Sequence, residues 1–164
     1  MVTETELRDA YSELKVDIIP IIDEFNDRKT SSKWMNMLHR VEKSRYSENV
    51  SLEKAIASLG ISELVDQLHK SEFYALLIEY IKNIEYCSLK KPFLMKDMYD
   101  SSIIAHIESE GVDFVFSLGV YKTDHIGTHF TEYSVSIMEG EGDKIRLVDF
   151  SEIMEQIRSI ENSR

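Results

Sequence analysis

The 164-residue chain is 43% hydrophobic and 30% charged, a balance that supports one ordinary core and argues against wholesale disorder. Thirty acidic residues against nineteen basic ones leave a net charge of −11, which weighs against direct binding of nucleic-acid phosphate. A lone cysteine, Cys87, excludes an intrachain disulfide. No apolar run approaches the length of a bilayer span, and the acidic opening Met1-Val2-Thr3-Glu4-Thr5-Glu6 is unlike a secretory signal. The expectation is a single cytoplasmic domain over 1–164, without membrane contact.

The first element is the clearest. Leu7, Tyr11, Leu14, Ile18, Ile21, Ile22 and Phe25 recur on one face of a helix, and Thr3 with Glu6 has the form of a capping box. Pro20 falls inside the stripe and predicts a kink or a division. Ser31 or Ser32 is placed to cap a second helix carrying Trp34, Met37, Leu38 and Val41. A third carries Leu52, Ala55, Ile56 and Leu59 and stops at Gly60. A long helical pattern then runs from Ser62 to about Tyr86. Its apolar phase rotates between Leu68 and Phe73, which predicts a break near Lys70-Ser71. Met95, Met98, Tyr99, Ile103 and Ile107 suggest a further helix, although Ile103-Ile104 also suits a strand.

The period changes near Gly111. Val112, Phe114, Phe116, Leu118 and Val120 alternate as a strand, Tyr133, Val135 and Ile137 as a second, and Ile145, Leu147 and Val148 make a third. Glu139 to Asp143 has turn composition, and Asp149 with Glu152 has the form of another capping box, before a last helix with Ile153, Ile157 and Ile160. The predicted architecture is α+β. Residues 1–110 are mainly helical and pack on a small antiparallel meander of about three strands, which with a C-terminal helix fills 111–164.

Phosphate loops, dinucleotide fingerprints, nucleophile elbows and paired-cysteine metal sites are all missing from the sequence, so no catalytic residue and no cofactor is assigned. The segment Lys122 to His129 gathers Asp124, His125 and His129, whose imidazoles and carboxylate are candidate metal ligands. The competing reading is a polar hairpin tip whose histidines are solvated or bond to backbone. Cys87 lacks the basic setting that activates a thiol. His39, His69 and His106 stand singly in the predicted helical segments. Between 28 and 45, Arg28, Lys29, Lys33, Arg40, Lys43 and Arg45 face Glu42 alone. With Trp34 and His39 interleaved they mimic a nucleic-acid-binding helix. The negative charge of the whole molecule favours instead a solvated face that complements acids of the same fold or of a dimer.

Charge is the most informative feature. Residues 97–164 hold fourteen acids and five bases, so −9 of the −11 lies there. If Glu139, Glu141, Asp143, Asp149, Glu152 and Glu155 gather on folding, they form a surface for a basic protein partner, with Tyr121 and Tyr133 as aromatic anchors. In general character (small, acidic, without motifs) the chain resembles bacterial immunity proteins, which occlude a toxin domain such as a nuclease. Two alternatives stand beside this reading. One is a metal-dependent enzyme built on Asp124, His125 and His129; the other is a homodimeric regulator or chaperone that uses the apolar stripes at 7–25 and 73–84.

Overall fold

Thr3 opens the first helix as its spacing from Glu6 predicts: its Oγ1 accepts the Glu6 N–H at 3.2 Å and donates to Glu6 Oε1 at 3.3 Å. In this computed structural model, residues 1–29, 36, 61–89, 103–108, 111–141 and 144–163 are described. Helix α1 spans Glu4–Lys29. Leu7, Tyr11, Leu14, Ile18, Ile22 and Phe25 are all buried along it, and Ile21 is half-buried. Pro20 does not divide this helix. It is exposed, and so is Val16, whose carbonyl loses the proline's missing N–H; water can serve that carbonyl on the outer face.

Helices α2 (Ile61–Lys70) and α3 (Glu72–Lys82) meet at the predicted break. Ser71 Oγ accepts the Tyr74 N–H at 3.1 Å and donates to the Leu68 carbonyl at 2.6 Å, so one hydroxyl ends α2 and caps α3. The rotated phase follows: Leu64, Val65 and Leu68 are buried on α2, and Phe73, Leu77 and Ile81 on α3. After α3 the chain turns through Tyr86, whose φ is +64°, into strand β1 (Cys87–Leu89).

The remaining strands are β2 (Ile103–Glu108), β3 (Gly111–Thr123), β4 (Phe130–Glu141) and β5 (Lys144–Leu147), and α4 (Phe150–Asn162) follows. The meander β3–β4–β5 corresponds to the three expected strands. Two more strands, β1 and β2, extend the sheet to five, both antiparallel to β3 on the edge opposite β4. Residues 103–107 therefore belong to a strand and not to a helix. Ile103 pairs with Phe116 and Ile107 with Val112, so long-range pairing overrides the four-residue spacing that also fits a helical face. The expected helices around Trp34 and over 52–59, and the stretch from Met95 to Tyr99, lie outside the described residues.

The β3–β4 register shifts between Phe116 and Ser117, where Ile137 is the extra residue on β4. Buried side chains of α1, α2, α3, β3, β4, β5 and α4 form one hydrophobic cluster. Tyr11 lies within it. Its ring packs at 4.7 Å on Phe73 and edge-on at 5.9 Å to Phe150, and its hydroxyl donates to the carbonyl of Val148. Burial, with the carboxylate of Asp149 adding to it, raises the Tyr11 pKa. Among the described residues no helix is long and apolar enough to cross a membrane.

Candidate protein-binding surface

The predicted acidic set divides in two on folding. Glu139 on β4 lies directly opposite Arg146 on β5, and Arg146 Nη2 reaches Glu139 Oε1 at 2.7 Å. The same nitrogen lies 3.4 Å from Oε2 of Glu152 on α4. One guanidinium thus holds two of the expected partner-binding carboxylates against the fold. This also undoes the second capping box: Asp149 stands at the N-cap of α4 but makes no side-chain capping bond, and Glu152 turns to Arg146.

Asp149 and Glu155 are the other half. Both are exposed on α4, and neither has an ion-pair partner among the described residues. The nearby cation Arg158 is taken by Glu4 of α1 at 2.9 Å. Asp143 and the side chain of Glu141 lie outside what is described. The two tyrosines do not form one patch. Val120 pairs with Tyr133 and Tyr121 with Glu132, so alternation puts the rings on opposite faces of the sheet. Tyr133 packs against the core, whereas Tyr121 meets Phe130 edge-on at 5.5 Å.

The hairpin tip shows what its histidines and aspartate do. Asp124 Oδ1 accepts the N–H groups of Ile126 at 3.1 Å and Thr128 at 3.0 Å, and its Oδ2 accepts the Thr128 hydroxyl at 3.0 Å. His129 Nδ1 lies 3.1 Å from the same Oδ2. Gly127, at φ +77°, supplies the left-handed turn that lets both amides face one carboxylate. The Thr128 N–H, chief among these donors, holds the Asp124 pKa well below the usual carboxylate range.

This is a carboxylate spent on its own loop. In a Ser-His-Asp arrangement the hydroxyl bonds the imidazole nitrogen remote from the carboxylate. Here Thr128 shares the near side with Asp124, and the His129 side chain is 89% exposed, so the hydroxyl is not activated. His125 projects into solvent. No three His, Cys, Asp or Glu side chains converge to hold a metal ion among the described residues.

Beside this tip is a cleft of about 450 Å³, lined by Tyr86, Tyr133, Asp124, His125, His129 and Lys122. Lys122 Nζ donates to the carbonyls of Ile160 at 2.8 Å, Glu161 at 2.8 Å and Ser163 at 2.5 Å. Its three protons are used in closing the C-terminal end of α4, which leaves no free amine there. Cys87 is half-buried, and burial raises its thiol pKa, which makes it a poor nucleophile. The His69 ring lies 5.0 Å from that of Tyr74 in a tilted contact, and Arg28 pairs with Glu24 along α1.

Three kinds of residue escaped the reading of the sequence. Asn26, buried on α1, donates to the Ile145 carbonyl at 3.0 Å and accepts the Ile145 N–H at 2.8 Å. Gln156 of α4 does the same at Ser136 of β4, accepting its N–H at 2.8 Å and donating to its carbonyl at 3.2 Å. Each amide imitates one step of a neighbouring strand. Finally, Ile126 and Phe130 stand 70% and 69% exposed around the hairpin tip. Only the apolar character of these last two was visible beforehand. Comparison with protein-family models, with curated proteins and with solved structures finds no match for the chain.

Proposed function

We propose that the protein is an acidic binding module that occludes a basic protein partner, in the manner of a cytoplasmic immunity protein covering a cationic, nuclease-like domain. The observation that carries this reading is the state of the charges on α4. Asp149 and Glu155 are exposed and have no ion-pair partner among the described residues, in the region that holds −9 of the net −11. Such a field captures a basic surface from a distance and excludes phosphate. Glu139 and Glu152 play a lesser part, because a partner must compete with Arg146 for them. Glu141 and Asp143 belong to the proposal on their place in the sequence alone, and Tyr133 is the aromatic anchor on the same strand as Glu139.

The test is capture from the native cell with the tagged chain, followed by stopped-flow association with the captured protein. A basic protein is expected, with an association rate that falls about tenfold or more between low and high salt, as electrostatic steering requires. Exchanging both Asp149 and Glu155 for lysine should slow association by a similar factor, whereas Glu139→Gln with Glu152→Gln should change it less. A rate indifferent to salt and to the lysine exchanges overturns the reading.

A further inference from the structure

The sheet outruns its helices at the hairpin end. Val120 is buried and Tyr133 packs against the core, so alternation puts Lys122 and Thr131 on the same face. Helix α4 stops at Asn162, and the next residue, Ser163, lines the cleft of about 450 Å³ that opens there. This face, the hairpin tip and the turn at Tyr86 border it. Its size lies within the range of about 300–1,000 Å³ usual for small-ligand sites.

Tyr86 lines one side of the cleft from a strained backbone. Its φ of +64° lies in the left-handed region, where glycine is at ease and a bulky residue is not. The turn is held in place by Thr123, whose N–H at 2.8 Å and hydroxyl at 3.3 Å both donate to the Tyr86 carbonyl. Glycine would serve that turn equally well. The ring is 44% exposed, so core packing does not account for it. Strain retained under such conditions points to a use for the side chain.

The rings of Tyr86 and Tyr133 and the imidazoles of His125 and His129 give the cleft aromatic walls. Its one ammonium, on Lys122, is held by three carbonyls at the end of α4. Carboxylates outnumber it. Asp124 lines the cleft, the Tyr86 hydroxyl is hydrogen-bonded to Glu85, and the charge of Glu161 reaches neighbouring Cys87. A guanidinium suits this setting, being a planar, weakly hydrated cation that stacks on aromatic faces.

We propose that the cleft receives an arginine side chain of the basic partner, with its guanidinium laid against the rings of Tyr86 and Tyr133. The proposal rests on the acidic-module reading and gives the partner an anchor at the opposite end of α4 from Asp149.

The test titrates acetyl-arginine-amide into the full ¹⁵N,¹³C-labelled chain at neutral pH. Ring resonances of Tyr86, Tyr133, His125 and His129 should shift together, with a Kd on the order of a few millimolar for a ligand of this size. Acetyl-citrulline-amide, which has the same shape without the charge, should bind at least about threefold more weakly. Absence of shifts at these rings overturns the proposal, as does equal binding of the two amides. Shifts at Tyr86 and His129 caused by Arg164→Ala or by dilution of the free protein would give the cleft to the chain's own arginine or to a second copy, and also overturn it.

Tyr86→Gly and Tyr86→Asn tolerate the left-handed turn and lack the ring. Both should weaken binding by about tenfold with no fall in the urea midpoint, whereas Tyr86→Phe should bind within about threefold of wild type. Undiminished binding by the glycine variant, or a lower midpoint that makes the ring a structural prop, overturns the assignment. With the captured partner, Tyr86→Gly should raise the dissociation rate about tenfold and leave association unchanged. An unchanged dissociation rate overturns the anchor and leaves charge capture standing. Failure of the acidic-module reading shows instead as association indifferent to salt.

Discussion

The two ends of the β3–β4 hairpin solve the same problem in different ways. At the base, near Glu139 and Ile145, backbone groups are satisfied by amides distant in the chain, Asn26 from α1 and Gln156 from α4, and Arg146 joins carboxylates of β4 and α4. At the tip, Asp124 satisfies the loop with groups no more than five residues away, and apolar Ile126 and Phe130 remain in water. The base is therefore coupled to global folding, while the tip is locally stable and free to meet another molecule. Interaction surfaces belong on elements of the second kind, because their rearrangement leaves the core intact.

The largest effect should come from the base. Asn26→Ala leaves both backbone groups of Ile145 buried without their amide partner, and at about 1–3 kcal/mol for each such group the expected loss is roughly 2–6 kcal/mol. Urea unfolding followed by circular dichroism measures it. A loss below about 1 kcal/mol would mean that the base is no more tightly coupled than the tip.

Tyr11→Phe keeps the ring and removes the bond to Val148, for an expected cost of about 1 kcal/mol. It should also alter the alkaline limit of stability. The folded-state pKa of Tyr11 lies above its ordinary value near 10, so the neutral hydroxyl's contribution is whole below about pH 10 and is lost as pH rises through the folded value. Unfolding free energy should decline above pH 10 in the wild type and decline less steeply in the variant. Parallel curves would remove Tyr11 from that account.

The smallest global effect belongs to the tip. The folded-state pKa of Asp124 is depressed, so its hold on the loop is complete above about pH 4 and is lost as pH falls toward the lower folded value. Asp124→Asn should weaken that hold at neutral pH and remove most of the acid dependence. Amide shifts of Ile126 and Thr128 should report both effects while resonances around Ile145 stay still. Movement at Ile145 would show that the two ends communicate.

Much of this arrangement was legible from periodicity. The stripe from Leu7 to Phe25, the rotation of phase at Ser71 and the alternation after Gly111 are each repeated many times, so isolated exceptions do not hide them. Ile103 and Ile107 misled because one pair at a spacing of four fits either element, and their strand exists only through pairing with β3. The capping motifs show how context decides. Thr3-Glu6 and Asp149-Glu152 have equal spacing, yet only the first caps, since Arg146 claims Glu152. The carboxylates were individually visible, but nothing local revealed that Glu139 and Glu152 share one guanidinium. Asn26 and Gln156 were illegible for a similar reason: their partners are 119 and 20 residues away, and an amide on a helix carries no mark of the strand it will meet.

The bonds from Tyr11 to Val148 and from Asn26 to Ile145 also set a timetable. During synthesis at about 5–20 residues per second, α1 leaves the ribosome on the order of ten seconds before Ile145 and Val148, to which it bonds. Helices α2 and α3, which also pack on α1, follow it sooner, so the face of Leu7, Leu14, Ile18 and Phe25 is only partly covered until the sheet and α4 are made. Docking of this helix is thus completed in two stages, first on α2 and α3 and then, through Tyr11 and Asn26, on the segment from Ile145 to Val148.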